Sequence, residues 1–421
     1  MRKMKDSGIE WIGEIPEDWE VLPFRHVLQE RNERNNPVVS EERLSLSIER
    51  GVTLYADKTT NLDRFKDDFA QYKLAYIGDL VMNSMNMIVG ATGVSKWFGC
   101  VSPVYYTFYD NDIEHTTAKF CEYIFRSKTM LRVLHSFGKG IYSIDRGDDK
   151  INTCRLKVAK SDLKNIKIPI PQISEQKLII QFLDKKCSEI DSVILKTRET
   201  IEEYKKLKQA IITEAVTKGL NPNAKMKNSG IEWIGEIPEE WKKIKFKYLH
   251  YSMNTGEAID KEYWSSNEYD RVFYTAGLLP IRTTYLEFPE WKLTRDNDLL
   301  LSRNGTPYVY LPSEYACYTD HIIRAKIKKD VCKKFLQYAL QRSISTIVVN
   351  QVSIATWSAS LWNEQILPFP PLSEQQQIAD YLDQKCSEID NLITKKEQLV
   401  VELESYKKSL IYEVVTGKRG V

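Results

Sequence analysis

From residue 183 the apolar side chains step along the chain by four and three: Leu183, Cys187, Ile190, Ile194, then Thr197, Ile201, Tyr204, Lys208, Ile211 and Ala215. The same stepping returns at Leu382, Cys386, Ile389, Ile393, Lys396, Val400, Leu403, Lys407, Leu410 and Val414. A 3.5-residue recurrence sustained over more than four heptads predicts a long helix with one narrow apolar seam, the pattern of a coiled coil. Ser174 and Ser373 follow the proline-bearing segments "IPIPQI" and "LPFPPL" and precede Glu-Gln, so both are expected as N-caps. Ser373 with Gln376 would complete a capping box, and Ile173 with Leu178 a hydrophobic staple in the first copy. Helices of about 44 residues would each run roughly 65 Å.

A single helix cannot bury such a seam, and the available partner is its twin. The chain is a tandem repeat. "MKDSGIEWIGEIPEDW" (Met4 to Trp19) returns as "MKNSGIEWIGEIPEEW" (Met226 to Trp241), and "PQISEQKLIIQFLDKKCSEID" from Pro171 returns as "PPLSEQQQIADYLDQKCSEID" from Pro370. Each half reads as a phrase, a variable domain and a helix. The connection Lys218 to Lys225, "KGLNPNAK", spans at most about 28 Å, less than half a helix length. The second half must therefore begin near the far end of the first helix. Domain termini usually lie close together, so the second helix is expected to run back, antiparallel to the first.

The variable stretches, about 20–170 and 242–369, are related as well. "GDLVMNS" from Gly78 resembles "NDLLLSR" from Asn297, and Cys100-Val101-Ser102 falls near where Cys317-Tyr318-Thr319 would align. Both read as β-hairpins, rich in β-branched and aromatic residues and punctuated by Gly, Asn and Pro. The fold class expected is α+β: two mixed α/β domains at opposite ends of a long antiparallel two-helix coiled coil, a pseudo-two-fold tandem repeat.

Composition narrows the class. At 421 residues the chain exceeds one hydrophobic core. No apolar run approaches a membrane span and no signal-peptide core follows "MRKMKDSG", which points to the cytoplasm and away from membranes. The seven cysteines at 100, 121, 154, 187, 317, 332 and 386 form no CxxC pair, so neither a disulfide framework nor a zinc site is expected. A net charge of +2 means that any basic surface is local. "GATGVSK" at Gly90 has the wrong spacing for a phosphate loop. An Asn-Pro-Pro-aromatic tetrad and an H-E-x-x-H motif are missing, "EWK" at Glu290 is a common triplet, and the five histidines are scattered. Catalytic and metal-ligating residues are therefore expected to be none.

Taken together, these elements resemble the DNA-specificity subunits of Type I restriction-modification systems. The resemblance covers essentially the whole chain and rests on the "SGIEWIGEIPExW" phrase heading each half and the "P-x-[IL]-S-E-Q" starts from Pro171 and Pro370. "WFGCVSPVYYTFY" (Trp97 to Tyr109) and "DLLLSRNGTP" (Asp298 to Pro307) are similar to segments of such domains. It implies a first target-recognition domain with an N-terminal clasp segment over 1–172 and a first conserved helix over 173–220. It implies a second such domain with the repeated clasp over 221–371, then a second helix and C-terminal tail over 372–421. It further implies a non-catalytic subunit that reads an asymmetric bipartite target on double-stranded DNA, one domain per half-site, the helices setting the spacer. Its partners would be two modification (methyltransferase) subunits and two restriction (translocase-nuclease) subunits. Those partners would methylate adenine and cleave DNA, and S-adenosylmethionine, ATP and Mg would be used there, none being bound by this chain. Two other readings stay open at this stage. One is the specificity subunit of a Type II-like system with a fused methyltransferase-nuclease partner; the other is a coiled-coil interaction protein without a DNA role.

Reading DNA takes cations for phosphates and forked donors or amides for base edges. The first domain offers Asn83, Ser84, Asn86, Lys96 and Trp97 on its Gly-punctuated hairpin, then Lys139, Tyr142 and Arg146. The second offers Arg303, Asn304, Thr306 and Tyr308, then His321, Arg324, Asn350, Gln351 and Trp357. Polar loop residues are also often merely solvated. "WKKIKFKYLHY" from Trp241 reads equally as a phosphate-contacting strand or as an edge strand guarded by lysines. In the repeated phrase, Ile9, Trp11, Ile12 and Ile15 are too few for a helix and Pro16 stops one. It reads equally as a domain-leading segment packed on its own core or as a clasp near the start of one helix and the end of the other.

Overall fold

The computed structural model describes residues 2–57, 68–111, 114–141, 155–304, 307–350 and 356–421. Two compact units cut across the linear order of the repeat: Met1–Thr197 with Gln398–Val421, and Arg198–Glu397. The helices Ile173–Lys218 and Leu372–Val415 each contribute to both units. No helix among the described residues is long and apolar enough to cross a membrane.

Each unit is built on a four-stranded antiparallel sheet. In the first unit the order is Gln29–Arg31, Tyr105–Tyr109, Leu80–Asn83, Thr92–Val94. In the second it is His250–Thr255, Ile322–Ile327, Asp298–Ser302, Val309–Tyr310. The third strand in each carries the related "DLVMN" and "DLLLS" runs. They are apolar at successive positions because both faces of the sheet are covered, which removes the polar alternation of a half-solvated strand. Leu80 and Met82 join the core of Phe24, Phe108, Phe120 and Phe125, while Val81 faces a second cluster with Leu44, Leu46 and Val52. Leu299 and Leu301 likewise face the core of Phe335, Leu336 and Trp362, and Leu300 faces that of Phe273, Tyr274 and Tyr318. Buried Asp79 and Asp298 open these strands by accepting the amides of Tyr76 and Arg295 at 2.9 and 2.8 Å. Burial pushes both carboxyls up, against the opposing pull of Arg31 and Arg324.

The units differ in what covers the outer face. In the first, Gly99–Val101 pairs antiparallel with Lys73–Ala75; in the second, Cys317–Tyr318 pairs parallel with Arg271–Tyr274 inside a second four-stranded sheet. The six described cysteines are free and buried, packing as small apolar residues.

Along the long helices Leu183, Cys187, Ile190, Ile194, Ile201, Leu382, Cys386, Ile389, Val400 and Leu410 are buried, and Tyr204, Ile211, Ile393 and Leu403 half-buried. Lys208 and Lys407 interrupt the seam at repeat-equivalent positions. Each lays its stem along the seam and carries its ammonium to a carboxylate of the facing helix, Asp390 or Asp191, at 2.6 Å. Within the first unit Asp191 meets Lys407; within the second Tyr204 meets Lys396 and Lys208 meets Asp390, so rising numbers meet falling ones and the pairing is antiparallel.

The helix starts differ from the serine caps expected. The helices begin at Ile173 and Leu372, and the capping carbonyls are those of Gln172 and Pro371, which accept the amides of Gln176 and Gln375 at 2.9 and 3.0 Å. Ile173 and Leu178 are both about half exposed, so no staple forms, and the Gln376 amide turns forward to Asp380. Buried side-chain amides take over. Gln176 donates to the Pro171 carbonyl at 2.9 Å and Gln375 to that of Pro370 at 2.8 Å, tying each helix to the strand before it.

The repeated phrase closes each unit. Ile12, Ile15 and Trp19 pack with Val414 and Val415, while Ile234, Ile237 and Trp241 pack with Ala215 and Val216. Trp19 Nε1 donates to Glu175 at 3.0 Å and Trp241 Nε1 to Glu374 at 2.9 Å, carboxylates in the first turn of each long helix. The turn after the opposite helix end passes under the same indole. Gly219 and Gly417 adopt φ of 73° and 70°, and a Cβ on Gly219 would lie 3.0 Å from the Trp241 ring.

Candidate nucleic-acid interface

The residue just past the end of the third strand of each sheet has its carbonyl held from outside the sheet. Val158 donates its amide to Ser84 at 3.0 Å, and Trp357 donates to Arg303 at 2.6 Å. These are the same positions in the two repeats, so each unit presents an equivalent sheet end carrying different side chains.

In the second unit this end gathers four of the expected residues. Arg303 is exposed, and its amide donates to the His321 carbonyl at 2.8 Å. Asn304 Nδ2 lies 2.7 Å from His321 Nδ1, within hydrogen-bond distance. Tyr308 receives the Ser302 amide at 3.0 Å, and its ring lies 4.8 Å from that of Tyr310. Arg303 also borders a groove of about 460 Å³ lined by Asn254, Thr255, Thr356 and Ser358. A guanidinium fork, an amide, an imidazole and two hydroxyl-bearing walls supply the donor and acceptor types that phosphates and base edges require.

The first unit is less concentrated. Asn86 is exposed in the turn after the strand end. Lys139, 78% exposed and 3.6 Å from Asp162, lies on Gly138–Ile141, whose partner strand includes Val158 and so adjoins the same end. Lys96 and Trp97 lie past the opposite end, because Leu80 pairs with Val94. The sheet thus separates residues that are neighbours in sequence.

Four expected contacts point inward and are corrected. Ser84 is fully buried, and Asn83 is buried with its side chain accepting the Met85 amide at 3.0 Å. Arg324 is buried because its Nη1 donates to the carbonyls of Trp291, Lys292 and Leu293 at 3.1, 2.8 and 3.0 Å. Trp357 is buried against Trp362, ring centroids 5.5 Å apart. Tyr142, Arg146, Thr306 and Gln351, with the side chain of Asn350, lie outside the described residues. Three of the lysines after Trp241 are engaged internally: Lys243 with the Ser229 carbonyl and Lys245 with Glu364, on a strand paired to Ile366–Phe369, and Lys247 with Glu364 from the short 3-10 turn that follows. "EWK" forms the one-turn 3-10 helix Glu290–Lys292. Among the described residues no group of His, Cys, Asp and Glu could hold a metal ion. Sequence reading missed Asn254, Thr255 and Ser358, which carry no local signal and become neighbours only through strand pairing and the Trp357 anchor.

Comparison with known proteins adds an independent line. The Type I restriction modification DNA specificity domain matches residues 98–203 and 238–402. The MjaX specificity subunit of Methanocaldococcus jannaschii, which bears a provisional type I restriction enzyme name, is 25% identical over 97% of this chain and 95% of its own length. The type I restriction enzyme EcoKI specificity subunit of Escherichia coli is 22% identical over 63% of this chain and 60% of its own. A chain from a type I R-M system, solved in a study of complex assembly and conformational transition, superposes with a TM-score of 0.71 at 14% identity, covering 96% of this chain and 99% of that one. The HsdS subunit from Thermoanaerobacter tengcongensis gives a TM-score of 0.53, also at 14% identity, over 96% of this chain and 98% of that one.

Proposed function

We propose, from the premise that this chain belongs to the Type I restriction modification DNA specificity family, that it is the DNA-recognition subunit of such a complex and performs no catalytic step of its own. Each unit reads one half of an asymmetric bipartite target. The second unit does so through Arg303, Asn304, Tyr308 and His321, and the first through the turn at Asn86 and the strand bearing Lys139. The long helices, shared by both units, set the number of unread base pairs between the halves. The observation that carries this reading is the pair of equivalent sheet ends with unlike side chains: a repeated frame with an unrepeated rim suits two readers of different sequences.

Two modification subunits dock on the repeated parts. The apolar residues that the helices leave to solvent support this, since they recur at repeat-equivalent positions: Val193 with Leu392, and Leu207 with Tyr406, each 43–49% exposed. A surface presented twice suits one kind of partner bound twice. Adenine methylation with S-adenosylmethionine, and cleavage driven by ATP and Mg in two restriction subunits, belong to those partners.

Exchanging residues 242–369 for the corresponding domain of another such subunit tests the reading. Methylation-sensitive long-read sequencing should then show one half of the modified motif changed and the other retained. A change in both halves sinks the two-reader scheme.

A further inference from the structure

Between the strands Arg271–Tyr274 and Ile281–Thr283 runs a short turn, Thr275 to Pro280, "TAGLLP". Leu278 and Leu279 on it are 67% and 80% exposed, and neither joins a hydrophobic cluster of the second unit. The turn is tethered. Tyr310 donates its hydroxyl to the Gly277 carbonyl at 2.8 Å, and the Gly277 amide donates to Thr275 Oγ1 at 3.3 Å. Tyr310 is itself buried and lies edge-on to Tyr274 at 5.6 Å. Its other neighbour is Tyr308, beside Ser302 and Arg303. The Thr319 amide, two residues before His321, donates to the Tyr274 carbonyl at 3.0 Å, so the turn that bears the two leucines leaves the second unit at the same strand ends as Arg303 and His321.

Keeping two leucines in water forgoes their burial on folding, and the interior offers no reason for it. Duplex DNA supplies one. Proteins that deform DNA insert apolar side chains between base pairs and offset the unstacking with contacts to the bent duplex. A leucine has no hydrogen-bonding group, so it reads how easily a step opens rather than its base edges. The neighbouring Arg303 and His321 supply the polar anchorage that such a wedge needs to be held against the helix.

We propose that Leu278 and Leu279 form a wedge that enters the base stack of duplex DNA beside the half-site read by the second unit. The inference rests on that unit's proposed role as a reader. The wedge unstacks one step next to the read bases and favours flexible pyrimidine–purine steps there, adding a preference at a position where no base edge is contacted.

The test uses the full chain assembled with its modification subunits, on duplexes carrying its methylated motif with 2-aminopurine placed at successive flanking steps. The parent complex should brighten the probe at one step, and L278A/L279A should abolish that signal while R303A weakens binding to every duplex. A mismatch at that step removes part of the unstacking cost and should tighten the parent about tenfold, leaving the double variant unchanged. Equal brightening by parent and variant, or equal gains from the mismatch, overturns the wedge. So does a variant that loses assembly with the modification subunits but keeps the stacking signal, which would assign the leucines to a protein contact. Failure of the parent to bind any motif-bearing duplex overturns the reading itself, a result distinct from the others.

Discussion

Replacing Trp241 with Phe probes the contact that closes the second unit. The indole is 1% exposed, and its Nε1–H donates to Glu374 at 2.9 Å, so phenylalanine deletes a hydrogen bond to a charged acceptor and part of a fully packed ring. A hydrogen bond to a charged group contributes about 1.5–3 kcal/mol. The void left by the smaller ring adds roughly 1 kcal/mol. Together the expected loss is about 2.5–4 kcal/mol, enough to open the second unit locally well below the urea concentration that unfolds the parent. Trp19→Phe should cost the first unit a similar amount, because Trp19 is equally buried and its bond to Glu175 is 3.0 Å. Multi-unit chains need not unfold in one step, so the assay is hydrogen exchange by mass spectrometry across a urea series, read peptide by peptide. Each variant should lose protection first in its own unit. A loss below about 1 kcal/mol, or the same loss in both units from either variant, would refute the view that each indole locks one unit. The acceptors add a finer check. Glu175 also pairs with Arg2, whereas Ala224 stands at the repeat-equivalent position, so Glu175→Gln should cost slightly more than Glu374→Gln, by no more than about 1 kcal/mol.

Two further outcomes are expected. Inserting one heptad into either long helix alone displaces the partners of Asp191 and Asp390, and should change the unread spacer of the methylated motif or abolish modification; an unchanged spacer would remove the helices as its determinant. Burial pushes the Glu30 carboxyl up, but ion pairs with Lys160 and Lys164 outweigh it and hold the group below its usual 4.5. Its stabilisation is therefore fully present above that value and is lost as pH falls through the lower folded one. The urea midpoint of Glu30→Gln should lie below the parent's at pH 7, with the gap closing in acid; a gap that stays constant would contradict the ion-pair account.

The sequence by itself determined what depends on local pattern and on repetition. Heptad stepping marked the seam, since a helix that leaves one face apolar writes a 3.5-residue period into its own letters. The exact return of "SGIEWIGEIPE" marked two like environments, because a buried Ile15 or Ile237 tolerates few substitutes. The kinship of "DLVMN" and "DLLLS" marked one strand in two sheets. The direction of helix pairing followed from the reach of eight linker residues. Only the tertiary structure decided which polar residues face outward. Arg303 and Arg324 look alike in sequence, yet one lies past the end of a strand and is exposed, its Nη1 reaching only the Asp320 carbonyl, while the other lies within a strand and spends its donors on three carbonyls. Ser174 has the letters of a cap, but the Gln172 carbonyl just before the helix accepts the first free amides, and the Gln176 side chain bonds back to Pro171. Trp357 looks like a stacking residue until Trp362 covers it, and Leu278 stays 67% exposed although Gly277 beside it is bonded to a core tyrosine. Burial and orientation at these positions are set by groups far away along the chain, and a sequence does not record distances between such groups.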